Sequence, residues 1–243
     1  MAGGDRLRVG VTATVREFSR EPVNLLLLVG LPVLIIPAYG SMMSAFPRLP
    51  YMESAPGTLG ALAGTLYVAA FLPGVIGLFQ VISARQADDR LVLTGFPRPT
   101  LFGARLLAVA LASVLTAAIG ITVLGTRTDI AAVAPALAVL VTVGLLYGLV
   151  GMLIGAVLPR ELEGSLVLIF LADLDEALAS GLMLPDATIT RAFPLHYPHR
   201  LFEAAVHGDP LGTGNLLAAA GYFLAVFAVT ATVYATVTGG PHR

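Results

Sequence analysis

The chain contains no cysteine and no lysine. Without cysteine there is no disulfide framework and no thiolate metal site, and redox chemistry says nothing about the compartment. Without lysine there is no G-x-x-x-x-G-K-[ST] loop, because the side chain that reaches the terminal phosphates is missing; all fourteen basic residues are arginines. Any ATP hydrolysis linked to this chain must come from another polypeptide. H-E-x-x-H and G-x-S-x-G are absent as well, and a serine within an apolar run, such as Ser113, has no histidine at membrane depth to activate it. No catalytic residue is expected, and the chain is not read as an enzyme. Charge of either sign is scarce: 12% of residues are charged, against about 25% in an ordinary soluble domain. The net charge of −1 singles out no partner, and none is expected among nucleic acids.

What is abundant is apolar surface, at 57% of residues. A helix needs roughly 20 apolar residues to cross about 30 Å of hydrocarbon, and five charge-free runs meet that length: 22–47, 54–84, 106–126, 130–159 and 210–241. A sixth run, 164–184, has the length but carries Asp173, Asp175 and Glu176 near its middle. The expected fold is therefore an all-α integral membrane protein with six transmembrane helices, at about 23–46, 58–84, 102–125, 130–158, 164–184 and 211–238, in one domain over 22–241. The first run is longer than a signal-peptide core, so it is expected to stay in the mature chain. Arginines set the orientation. With the N-terminus inside, inner segments hold ten of them and outer segments four, so both termini are expected in the cytoplasm of a multi-pass plasma-membrane protein.

Before the first run, Leu7, Val11, Val15 and Phe18 recur at helical spacing, and 1–21 reads as an amphipathic interfacial helix that Pro22 ends,. The inner segment 85–105 predicts a short helix capped by Asp88 or Asp89, running through Leu93 and stopped by Gly95 ahead of Pro97,. The outer segment 185–209 predicts another, with Pro198 in its first turn and Gly208 closing it, lying at the outer rim of the bilayer,. Gly60 and Gly64, and Gly144, Gly148, Gly151 and Gly155, line single helix faces. Close packing within the bundle is the first reading of them, and a dimer contact the second.

Two constellations could carry chemistry. Each acid at mid-bilayer costs roughly 2.5–3.5 kcal/mol, so Asp173, Asp175 and Glu176 must be offset. Asp173 and Glu176, three apart, read either as the lining of a substrate path or proton relay, or as groups satisfied by polar neighbours. No basic residue in another run presents itself as a partner. His199, Glu203 and His207 share a helical face, so a metal site there can be drawn, but the polar face of an interfacial helix explains them first and no metal is expected.

Three segments carry a resemblance. The string from Arg16, REFSREPVNLLLLVGLPVLI, resembles the charged elbow and first span of the type-2 ABC exporter permeases. ARQADDRLVLTGFPRPTLFGARLL, from Ala84, resembles their cytoplasmic coupling helix. FPLHYPHRLFEAAVHGD, with Pro194, Leu195, Tyr197 and Gly208, is similar to their outer re-entrant segment, though Phe193 and Glu203 depart from its pattern. The resemblance implies a permease subunit that exports an apolar or amphipathic substrate. Asp88, Asp89, Arg90, Leu91, Leu93 and Phe96 would dock on a separate cytoplasmic ATPase, which holds the ATP and Mg. A second permease subunit, identical or not, would complete the pathway in the lipid bilayer. An ion-coupled carrier built on the three acids, and a non-transporting assembly subunit or intramembrane enzyme, are the alternatives. No internal repeat of the kind found in many carriers is evident.

Overall fold

A computed structural model describes residues 22–48, 54–93, 95, 97–181 and 188–237. The expected N-terminal amphipathic helix, Phe96 and the end of the expected span 164–184 lie outside the described residues. What is described is helical: α1 (Pro22–Ser44), α2 (Pro56–Ser83), α3 (Arg85–Leu93), α4 (Arg98–Leu124), α5 (Val133–Val157), α6 (Glu161–Ala179), a 3-10 turn (Thr188–Ala192), α7 (His196–His207) and α8 (Thr213–Val237). Five of these, α1, α2, α4, α5 and α8, are long and apolar enough to cross a membrane. At 1.5 Å per residue, α6 is about 28 Å long, close to the hydrocarbon thickness, but it is too acidic to be counted with them.

Local chemistry explains the ends. Pro56 and Pro99 stand in the first turns of α2 and α4, where a preset φ helps and a missing N–H costs nothing,. Glu161 and Glu163 occupy the first turn of α6, where negative charge meets the positive end of the helix dipole,. Gly208 takes φ +81° and closes α7, its N–H donating to the Ala204 carbonyl,. One expectation is corrected. Asp88 and Asp89 lie inside α3 and do not cap it, because α3 starts at Arg85, one residue after α2 ends.

The centre of the bundle is α2, which packs against α1, α4, α5 and α6. In its crossing stretch 78% of residues are buried, against 22% in α1 and 11% in α8, so the last two are peripheral. Glycine makes this centre compact. A Cβ on Gly151 would collide with the Gly74 carbonyl, one on Gly155 would sit 2.8 Å from the Leu78 carbonyl, and one on Gly144 would meet Ser113 Oγ at 2.6 Å. On the other side, a Cβ on Gly60 would lie 2.5 Å from the Tyr39 carbonyl. These small-residue faces are used up within one chain, joining α5 to α2 and α4, and α2 to α1.

Candidate functional site

The three acids of α6 each reach a different neighbour. Asp175 is fully buried. Its carboxylate accepts a short hydrogen bond from the Tyr147 hydroxyl of α5, and the backbone N–H of Leu195, at the start of α7, lies 3.2 and 3.1 Å from its two oxygens. Leu195 N–H belongs to the set of helix-terminal donors that no intrahelical carbonyl can satisfy. Asp175 therefore pins α5 and the first turn of α7 to α6.

Glu176, 2% exposed, receives the Nδ1–H of His199 at 3.0 Å. Its second oxygen, Oε2, is buried without a hydrogen-bond partner among the described residues. Asp173 is the exposed member and accepts from the Tyr39 hydroxyl of α1 at 3.0 Å. Tyr39 stacks on Tyr67 at 5.8 Å between ring centroids, and Tyr67 on Phe71 at 5.6 Å.

The histidine partner was not legible in the sequence, where all four histidines fall outside the apolar runs. The structure folds α7 inward against α5, α6 and α8, burying His196, His199, Leu201, Phe202, Ala205 and Val206. The reading of His199 as part of the polar face of an interfacial helix is corrected by that packing, which buries it. Burial opposes the charged imidazole of His199, but the Glu176 charge and hydrogen bond outweigh it and raise its pKa above the ordinary value. His196 goes the other way. Burial first, then the charges of Arg200, Arg191 and His199, lower its pKa, and its Nδ1 lacks a partner among the described residues.

The far end of α7 is anchored too. Ala131 and Ala132 donate their backbone N–H groups to the Val206 and Ala205 carbonyls at 3.0 Å each. His207 Nδ1–H faces the Glu203 carbonyl, which leaves Nε2 to accept from Ser54 Oγ at 2.9 Å,. With His199 on Glu176 and His207 on Ser54, the drawn metal set of His199, Glu203 and His207 does not converge. Among the described residues no three histidine or acidic side chains could hold one ion.

No protein-family model matches the chain, and no curated protein matches it. Its site has to be read from its own chemistry.

At the opposite end of the bundle three arginines meet three helix termini. Arg85 donates from one guanidinium nitrogen to the carbonyls of Gly155, Ala156 and Leu158 at 2.7, 3.3 and 3.2 Å. Arg98 donates to the Ala235 carbonyl at 2.8 Å. Arg105 donates to the Gln80 carbonyl and, at 3.0 Å, to the Tyr234 hydroxyl. The acceptors are the last carbonyls of α5, α8 and α2, unsatisfied within their helices and at the negative end of each dipole. These three arginines bracket α3, on which Arg90, Leu91 and Leu93 are exposed, Leu93 at 87%. Asp88 and Asp89 lie on the same helix. The sequence singled out the α3 residues and placed these arginines at the same end of the bundle, but not the helix ends that they bind.

Of the outer-segment residues, Pro194 precedes α7, and Tyr197 stands in its first turn, where its ring meets His196 edge-on at 4.9 Å. A cleft of about 400 Å³ between α1 and α2, lined by Gly40, Ser44, Gly57, Thr58 and Arg127, contains none of the acids.

Proposed function

We propose that this chain is the membrane-spanning permease subunit of an ATP-driven exporter, energised by a separate ATPase that docks on α3. In this reading α6 is the fifth of six spans and α8 the sixth, the arginine-rich end faces the cytoplasm of a plasma-membrane protein, and a second permease subunit faces this one. The N-terminal residues supply an interfacial elbow, and α7 is the outer re-entrant helix.

The observation that carries the reading is the mounting of α3. A nine-residue helix that presents the exposed Arg90, Leu91 and Leu93 is a poor structural element by itself, since isolated helices this short are unstable in water. It is nonetheless bracketed by Arg85, Arg98 and Arg105, each bound to a helix end in the bundle. Arg85, the first residue of α3, ties it to the end of α5, while Arg98 and Arg105 tie the next helix, α4, to the ends of α8 and α2, so a push on α3 passes to α5 directly and to α8 by way of α4. That is the mechanical property a docking helix needs, and the missing lysine requires the nucleotide to be bound elsewhere.

The test is purification of the tagged chain from its native membranes in mild detergent, with mass spectrometry of stoichiometric companions. The expected companion is a soluble ATPase with an intact nucleotide loop, lost when charge is reversed together at Asp88, Asp89 and Arg90. A chain that purifies alone, or an ATPase still bound and transport unchanged after that triple reversal, refutes the assignment of α3.

One observation favours a second reading. A buried carboxylate paired with a buried imidazole, as Glu176 is with His199, is an arrangement that can hold a mobile proton. An ion-coupled carrier built on it would follow a proton gradient and ignore ATP depletion.

A further inference from the structure

Asp173 stands apart from the other acids of α6 because it is exposed on the flank of the helix, among exposed Val167, Phe170 and Leu174. Hydrocarbon against a carboxylate costs about 2.5–3.5 kcal/mol, and one tyrosine hydroxyl satisfies only one of its roughly four acceptor positions. Among the described residues no arginine or histidine pairs with it. Lipid is thus a poor neighbour for this part of the flank.

What lies beside Asp173 is suited to a different occupant. Tyr39, Tyr67 and Phe71 form a continuous stack with interplanar angles of 19° and 9°. It begins at the hydroxyl that holds Asp173, and Tyr67 is itself within electrostatic reach of that acid. Aromatic faces carry negative quadrupole and attract cations, most strongly where water is excluded. One helical turn beyond Asp173 lies Glu176, buried, bonded through Oε1 to His199, with Oε2 unpartnered among the described residues and within electrostatic reach of both Asp173 and Tyr39. One exposed acid, a second buried behind it, the accessible edges of Tyr39 and Phe71 and apolar flanks make a negative, poorly hydrated surface.

We propose that Asp173, Tyr39 and Phe71, with Tyr67 and Glu176 buried behind them, form a binding site for a lipophilic organic cation, an onium or protonated amine on an apolar body. The cationic centre lies at Asp173, within the field of Glu176. The apolar body lies against the aromatic stack and the α6 flank, and an anion of the same shape is rejected. That such a cation is the transported substrate rests on the permease reading; that it binds does not.

The experiment uses the full-length protein in nanodiscs of zwitterionic lipid, with radiolabelled tetraphenylphosphonium as ligand, empty nanodiscs as background and tetraphenylborate as the anion of like shape. The expected result is saturable binding of the cation above background and none of the anion. Asp173→Asn, which keeps an acceptor for Tyr39, weakens binding about ten- to a hundredfold, the range for losing one charge-assisted contact. Tyr39→Phe, which keeps the ring, weakens it far less. The site is refuted if the cation binds no better than to empty nanodiscs, if the anion binds equally, or if Asp173→Asn leaves affinity unchanged. Because no ATPase is present, cation binding by a chain that recruits no ATPase upholds the site and removes only the permease reading. A chain that recruits an ATPase but fails to bind the cation removes the site alone.

Discussion

Replacing Asp175 by alanine tests whether the acids of α6 hold the α7 end of the bundle together. Two buried donors lose their acceptor at once: the Tyr147 hydroxyl and the Leu195 N–H. Each orphaned buried donor costs about 1–3 kcal/mol, which gives an expected loss of about 2–6 kcal/mol. A single interhelical hydrogen bond in a membrane protein averages only about 0.6 kcal/mol in double-mutant cycles, so the two accounts predict separable numbers. Asp175→Asn, whose amide oxygen still accepts one bond, should fall between wild type and alanine. Tyr147→Phe should remove one bond only. The assay is reversible unfolding of the reconstituted protein. It is followed by labelling of a single cysteine introduced in α7 at Ala204, which the cysteine-free native chain makes unambiguous. Two such bonds at that average would total about 1.2 kcal/mol, so a loss below about 1.5 kcal/mol for Asp175→Ala, or equal effects of alanine and asparagine, would refute the account of Asp175 as a two-way staple.

The His199–Glu176 pair gives a pH dependence whose sign follows from its direction. Since folding raises the His199 pKa, its contribution to stability is complete below the ordinary value of about 6.5 and is lost as pH rises through the higher native value. The groups around it are Glu176, Glu203, Arg200 and His196. The same labelling of α7 should therefore accelerate from mildly acidic into mildly alkaline buffer in wild type and be flatter in His199→Gln; an identical slope in both refutes the assignment. The glycine seams give a paired expectation. Gly151→Ala drives a methyl into the Gly74 carbonyl and should cost about 1–3 kcal/mol of unfolding free energy. Gly221→Ala on α8, with open space around it, should be neutral or stabilising by up to about 1 kcal/mol; similar losses at both sites would show that glycine spacing here does not report packing.

Sequence alone reached the class of molecule and the places where helices stop. Charge-free runs of sufficient length leave no other solvent than lipid, and prolines at helix starts and Gly208 at a helix end act through local backbone constraints that need no tertiary partner. Five crossing helices and the short α3 and α7 were accordingly visible as patterns, within a few residues of their ends. The start of α3 was misjudged because it is set by the end of α2, one residue away, and not by an acid at its own cap.

The partners of the charged groups were decided by tertiary structure. Nothing in the local pattern of α7 shows that it turns its histidine face into the bundle, because an amphipathic helix can put either a polar or an apolar face against a site that itself contains acids. Only the fold brings His199 to Glu176, Tyr147 and Leu195 to Asp175, and Tyr39 to Asp173, across sequence separations of 20 to 134 residues. The same is true of Arg85, Arg98 and Arg105. As residues they marked one end of the bundle by charge, but which helix ends they bind depends on how the bundle packs. The energetic reason is common to both groups. Hydrophobic length sets how many helices form at a cost or gain counted per residue, whereas a charge in an apolar layer is stable only when a particular partner is delivered to it, and delivery is a property of the whole fold.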